Sequence, residues 1–171
     1  PALGNASGLA GGLVHLANHA MMKGAAFMAV GAVVFRLGSC RIEDFAGLGQ
    51  RMPASMTALT IAGLGLIGVP GTAGFVTKWY LVVGALQAGM PWLALLVVAS
   101  SIIALVYVGR LVELIWFRPR PEGAARATEA PFELLLPMLV LAAATVWFGI
   151  DTRATAGLAE AATIGLFGGP R

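Results

Sequence analysis

Three titratable side chains, His15, His19 and Lys23, recur at every fourth residue of HLANHAMMKG, in a segment otherwise rich in Gly, Ala, Met, Val and Leu. In a helix, positions four apart drift by about 40° and rise about 6 Å, so the three form one slowly spiralling stripe about 12 Å long. A neutral imidazole accepts at one nitrogen, donates at the other and titrates near neutral pH, which suits a proton relay. A desolvated lysine gives up its proton more readily than a surface one. The rise between neighbours exceeds direct hydrogen-bond reach, so bridging water must complete such a path. Each ionisable group at membrane depth costs at least ~2.5 kcal/mol on insertion scales, and such groups mark ion or proton paths facing a bundle interior or hydrated cavity. Two other chemistries compete: interhelical hydrogen bonding by histidine, and metal ligation by an H-x-x-x-H pair. No Asp, Glu or Cys lies nearby in the segment to complete a metal shell, so no metal is assigned.

A second charged residue inside the expected membrane span sharpens the pattern. Lys78, in GFVTKWYL, follows Pro70 by eight residues. Pro70 removes a backbone donor, and Gly68, Gly71 and Gly74 relax the chain, so GVPGTAGF predicts a helix break. Non-helical backbone at membrane depth is tolerated where it lines a cavity or is buried in protein, and broken helices mark transporter sites. Freed carbonyls at such a break can meet a cation. The competing reading, snorkelling, requires Lys78 to reach the interface across about 12 Å of helix.

The remaining candidates carry less chemistry. Arg110 and Glu113, at i and i+3, can pair as a gate or as an interfacial anchor. Gly63, Gly65 and Gly68, with Gly24 and Gly31, offer small-residue faces for close helix packing. The methionines read as packing filler, and Trp79, Trp92, Trp116 and Trp147 mostly fall near expected helix ends, as in aromatic belts. Dinucleotide-binding, P-loop and nucleophile-elbow motifs are absent, so we expect no catalytic chemistry of the chain's own and no cofactor.

The elements that must position these groups follow from composition. The 171 residues are 58% hydrophobic and 11% charged, against about a quarter charged in ordinary soluble chains. We read an all-α polytopic membrane protein of about four transmembrane helices. Apolar segments run from about Leu9 to Phe35, Ala54 to Leu86, Trp92 to Phe117 and Phe132 to Ile150, and a span needs about 20 residues. The second would be about 50 Å as one straight helix, hence its break at Gly68–Pro70. The Ala- and Gly-rich tail after Thr152, with Glu160, reads as interfacial. The net charge of +3 has no aromatic interleaving, which excludes a nucleic-acid partner. Seven of the eleven Lys and Arg residues, Arg36, Arg41, Arg51, Arg110, Arg118, Arg120 and Arg126, fall in or beside two loops. The positive-inside rule places loops 36–53 and 118–131 in the cytoplasm and the C-terminus outside. Cys40 stands alone, so no internal disulfide forms. With no basic n-region and no A-x-A site near its start, the first apolar segment does not read as a signal peptide.

HLANHAMMKGAAF, GLGQRMP and GLIGVPGTAGFVTKWYL together resemble the C-terminal part of the proton-conducting antiporter-like membrane subunits. That family includes Mrp-type sodium/proton antiporter subunits and the pumping subunits of respiratory complex I and membrane hydrogenases. The segments SSIIALVYVGRLVELIWFRPRP and EAPFELLLPMLVLAAATVWFGIDT look most like the D-type member of the Mrp antiporter subunits. The resemblance implies that Lys23 carries the proton, that His15 and His19 are its neighbours toward the centre, and that Lys78 passes it onward. It also implies that residues 1–171 form a single membrane domain, the C-terminal fragment or split half of a larger subunit, because the family's first half-channel has no counterpart here. Expected partners are other membrane subunits of one complex in the inner (cytoplasmic) membrane, the lipid bilayer, and protons with Na+ as candidate counter-ion. Two alternatives stay open: a redox-driven pump of the complex I or membrane-hydrogenase type, and a structural anchor without transport.

Overall fold

The structure, a computed structural model, describes residues 6–119, 127–153 and 157, with side chains given from Gly12 onward. Arg120, Arg126, Glu160 and most of the Ala- and Gly-rich tail lie outside the described residues. Among the described residues the main helices are, in chain order, α1 (Ala6–Leu37), α2 (Pro53–Ile67), α3 (Ala73–Gln87), α4 (Pro91–Phe117) and α5 (Phe132–Ile150). Two short 3₁₀ turns, Ile42–Phe45 and Leu48–Gln50, fill the loop between α1 and α2. The helices Gly12–Leu37, Pro91–Phe117 and Phe132–Ile150 are long and apolar enough to cross a membrane. α2 and α3 are the two halves of the broken second segment, so the protein is polytopic and all-α.

Local chemistry sets the boundaries. Pro53 and Pro91 open α2 and α4 at the first turn, where a missing N–H costs nothing. α2 stops at Gly68, whose φ of +88° lies in the left-handed region that favours glycine. The Gly68 N–H closes back on Leu64 and Gly65, and the Val69 N–H on Leu64. The break ends at Thr72, whose hydroxyl donates to the Val69 carbonyl at 2.7 Å. The N-terminus of α2 is capped from far away in sequence: Glu129 Oε2 accepts the Ala54 N–H at 2.8 Å, and Glu129 Oε1 accepts the Ser55 hydroxyl. Arg36, at the end of α1, donates to the Glu129 backbone carbonyl.

α1 packs against α2, α3 and α5, and α4 covers α2 and α3. In lipid, packing between small residues holds helices together, and the buried face of α1 is accordingly Ala25, Ala29 and Ala32, each fully buried. Close approach is tightest at the break. A Cβ on Gly74 would stand 1.8 Å from the Gly65 carbonyl oxygen, and one on Gly149 would stand 2.3 Å from the Thr72 carbonyl carbon. Gly63 lies against Val108 and Gly65 against Met22 and Thr145, as small-residue packing predicts. Gly31 departs from that expectation: nothing lies within 4 Å of a Cβ built there, because it faces away from the bundle. Trp116 departs too, packing over Gly49 and donating from Nε1 to Thr60 Oγ1 at 3.0 Å. Trp79, Trp92 and Trp147 point outward.

Candidate functional site

The His15, His19 and Lys23 row lies on a flank of α1, beside the buried seam. That seam runs Val14, Asn18, Met22, Ala25, Ala29, steps of four, four, three and four that track the helical repeat. The titratable row, at 15, 19 and 23, follows the first three seam positions by one residue each, so it holds a constant offset of about 100° from the seam and shares its slow drift. Its first two members, His15 and His19, are half-buried, and Lys23 is exposed. The His15 and His19 rings stack, centroids 5.2 Å apart and planes 27° from parallel. The Lys23 ammonium lies 5.6 Å from the centroid of the Phe27 ring.

The break delivers the second lysine to the same place. A groove of about 250 Å³ is lined by His15, His19, Lys23, Lys78, Ser100 and Tyr107, among other residues. Lys78 therefore faces the whole row across one cavity, although 55 residues separate it from Lys23 in the chain. On its other side Lys78 borders an apolar crevice of about 480 Å³ between α3 and α4. Its Nζ donates to the carbonyls of Leu66 at 2.9 Å and Ile67 at 2.8 Å, and to Ser101 Oγ at 2.6 Å. The first two are last-turn carbonyls of α2, where the helix dipole is negative and intrahelical donors run out. An ammonium is the fitting partner for that end.

Sequence reasoning missed several polar side chains around this centre. Asn18, inside the His15/His19 row, is fully buried and clamps α1 to α3: its Nδ2 donates to the Ala73 carbonyl at 3.0 Å and to Thr77 Oγ1 at 2.9 Å. Ser100 and Ser101 were visible as two adjacent hydroxyls in the middle of an otherwise apolar helix. Asn18 was visible as a third polar type in the quoted stripe. The Arg110 and Glu113 pairing is corrected: Glu113 bonds Arg118 at 3.0 Å, both half-exposed, because Arg118 reaches back over the end of α4. Arg110 lines the same cavity of about 400 Å³ as Glu113, Arg118 and Glu43. Among the described residues no three His, Cys, Asp or Glu side chains form a group able to hold a metal ion.

The same chain matches known proteins along most of its length. The family model described as NADH:quinone oxidoreductase/Mrp antiporter, TM, matches residues 2–104. NADH-quinone oxidoreductase subunit N of Desulforudis audaxviator is 37% identical over 161 residues, covering 87% of this chain and 32% of the relative. Hydrogenase-4 component B of Escherichia coli is 33% identical over 155 residues, covering 84% of this chain and 23% of the relative. The chain thus spans about a third or less of these relatives. Among solved structures, the Mrp complex from a Dietzia species matches 98% of this chain and 39% of its own matched chain, with a TM-score of 0.88 at 24% identity, a likeness of fold. The archaeal membrane-bound sulfane sulfur reductase, a respiratory membrane complex, matches 85% of this chain and 24% of its own, with a TM-score of 0.78 at 32% identity.

Proposed function

Because the chain belongs to the NADH:quinone oxidoreductase/Mrp antiporter transmembrane family, we propose that it is the C-terminal part of a proton-translocating membrane subunit. In this reading His15, His19, Lys23 and Lys78 are the relay. One observation carries it: a lysine held at a helix break shares a groove with a second lysine and two stacked imidazoles. The groove is wide enough for a short file of water, which the spacing of the row demands. Two cations that share a groove repel, so a proton arriving at one favours departure from the other. Lys78 also borders the outer crevice, which makes it the fitting exit or entry station.

The exposed flank of Lys23 calls for a neighbour. An exposed ammonium in lipid is costly, so other helices, from the same longer subunit or from partner subunits of one complex, cover it. Loops 36–53 and 118–131 then face the cytoplasm by their arginines, in the inner membrane of a bacterial or archaeal cell. Exchange against a cation such as Na+, as in an Mrp-type antiporter, is the reading we favour for the driving force. The names of the relatives support a second one, a redox-driven pump of the NADH-quinone oxidoreductase or hydrogenase type.

The test is proton flux in proteoliposomes holding the complete complex. Lys78→Met and Lys23→Ala each lower flux at least tenfold with assembly intact. Unchanged flux in both variants leaves a structural anchor instead. The chains that copurify decide the driving force: small membrane subunits alone mean antiport, and iron-sulfur or flavin subunits mean redox drive.

A further inference from the structure

Of the three acceptors around Lys78, we infer that Ser101 is the one that can serve this amine in both protonation states, a positioning residue for proton transfer. The inference rests on the relay reading above. An ammonium has three N–H donors and no lone pair. The Leu66 and Ile67 carbonyls and Ser101 Oγ supply three acceptors at 2.9, 2.8 and 2.6 Å, which saturates the charged form. A neutral amine has two N–H donors and a lone pair that needs a donor. The two carbonyls only accept, so they serve the two remaining N–H groups and nothing more. Ser101 is the partner with a hydrogen to give.

The hydroxyl is free to turn. Ser101 Oγ is 3.2 Å from the Val97 carbonyl, longer than the usual O–H···O bond. Ser100 Oγ bonds that same carbonyl at 2.7 Å. When the Ser101 hydrogen swings from Val97 to Lys78 Nζ, the carbonyl keeps its Ser100 partner. One hydroxyl thus accepts from the ammonium and donates to the amine, and no backbone group loses its only side-chain bond. The other groups facing the groove are His15, His19 and Lys23 on α1 and Tyr107 on α4; α2 offers its backbone and no ionisable side chain, and no α5 residue is among the lining ones.

The test uses the complete complex in proteoliposomes, with proton flux measured across pH for the unaltered protein, Ser101→Ala, Ser101→Thr and Lys78→Met. Charge-assisted hydrogen bonds are roughly twice as strong as neutral ones, so losing the hydroxyl weakens the ammonium more than the amine. Ser101→Ala is expected to cut peak flux several-fold and to move the pH profile to lower pH by about half to one unit. Ser101→Thr, which keeps the hydroxyl, retains the original profile. If Ser101→Ala overlays the unaltered protein while Lys78→Met abolishes flux, the Ser101 assignment is overturned and the relay stands. Equal shifts in Ser101→Ala and Ser101→Thr also overturn it, since shape rather than the hydroxyl then matters. Flux that survives Lys78→Met removes the relay reading and this inference with it. Should Ser101→Ala not assemble, Ser101→Thr against Ser101→Val isolates the same hydroxyl.

Discussion

Lys78 bonds the carbonyl of Leu66 at 2.9 Å, and the helical partner of that carbonyl falls at residue 70, which is proline. The i to i+4 ladder of α2 therefore ends in an acceptor that the backbone cannot serve. The side chain of Lys78 supplies the missing donor, and one local feature both breaks the helix and creates the site for the cation.

Substituting Lys78→Arg separates anchoring from relay. Guanidinium keeps the charge and offers five donors to the same carbonyls, but it does not deprotonate under working conditions. Assembly is expected to match the unaltered protein while proton flux falls at least tenfold. Full flux in Lys78→Arg shows that the charge is only a tether.

Asn18 clamps the relay helix to the start of α3 through two bonds, to Ala73 and Thr77, from a fully buried position. Asn18→Leu removes both and leaves their partners with fewer bonds in an apolar surrounding. Thr77 still bonds the Ala73 carbonyl, so neither partner is left unpaired, and we expect a loss of about 1–2 kcal/mol, at roughly 0.5–1.5 kcal/mol per hydrogen bond removed. Thermal unfolding of the full-length subunit in detergent reads this directly, and an unchanged midpoint removes the clamp.

Glu129 caps α2 at Ala54 and Ser55 across 75 and 74 residues of chain. Glu129→Ala deletes a carboxylate from a helix N-terminus, where caps and the helix dipole together contribute about 1–2 kcal/mol. Glu129→Asp, shorter by one methylene, is expected to recover only part of it. Hydrogen exchange at the first turn of α2 is the sensitive measurement, and equal protection in all three proteins refutes the cap.

Two glycines in the same small-residue class are expected to behave oppositely. Gly74→Ala drives a methyl into the Gly65 backbone, so α2 and α3 must part, with severe loss of assembled protein. Gly31→Ala meets nothing and gains helix propensity, so it is neutral or up to about 1 kcal/mol stabilising. Yields and melting points of the two variants side by side check the contrast.

The sequence by itself determined the spans and the break. Apolar length, proline and glycine act within a few residues of themselves, and so α4 ends at Phe117 and α5 spans Phe132–Ile150 as read, with α2 stopping at Gly68 two residues before Pro70. The titratable stripe and Lys78 stood out for the same reason, since a charge in an apolar run is costly wherever the run packs. Tertiary structure alone decided which flank of α1 the row takes. The row and the buried seam differ by one residue, and only the neighbours of α1 choose between them. It also decided the partners brought from far away: Ser101 at Lys78, Glu129 at the start of α2, and Arg118 rather than Arg110 at Glu113. Hydrogen bonds join whatever the packed helices bring within about 3 Å, and that depends on helix rotation and approach, which no local spacing encodes.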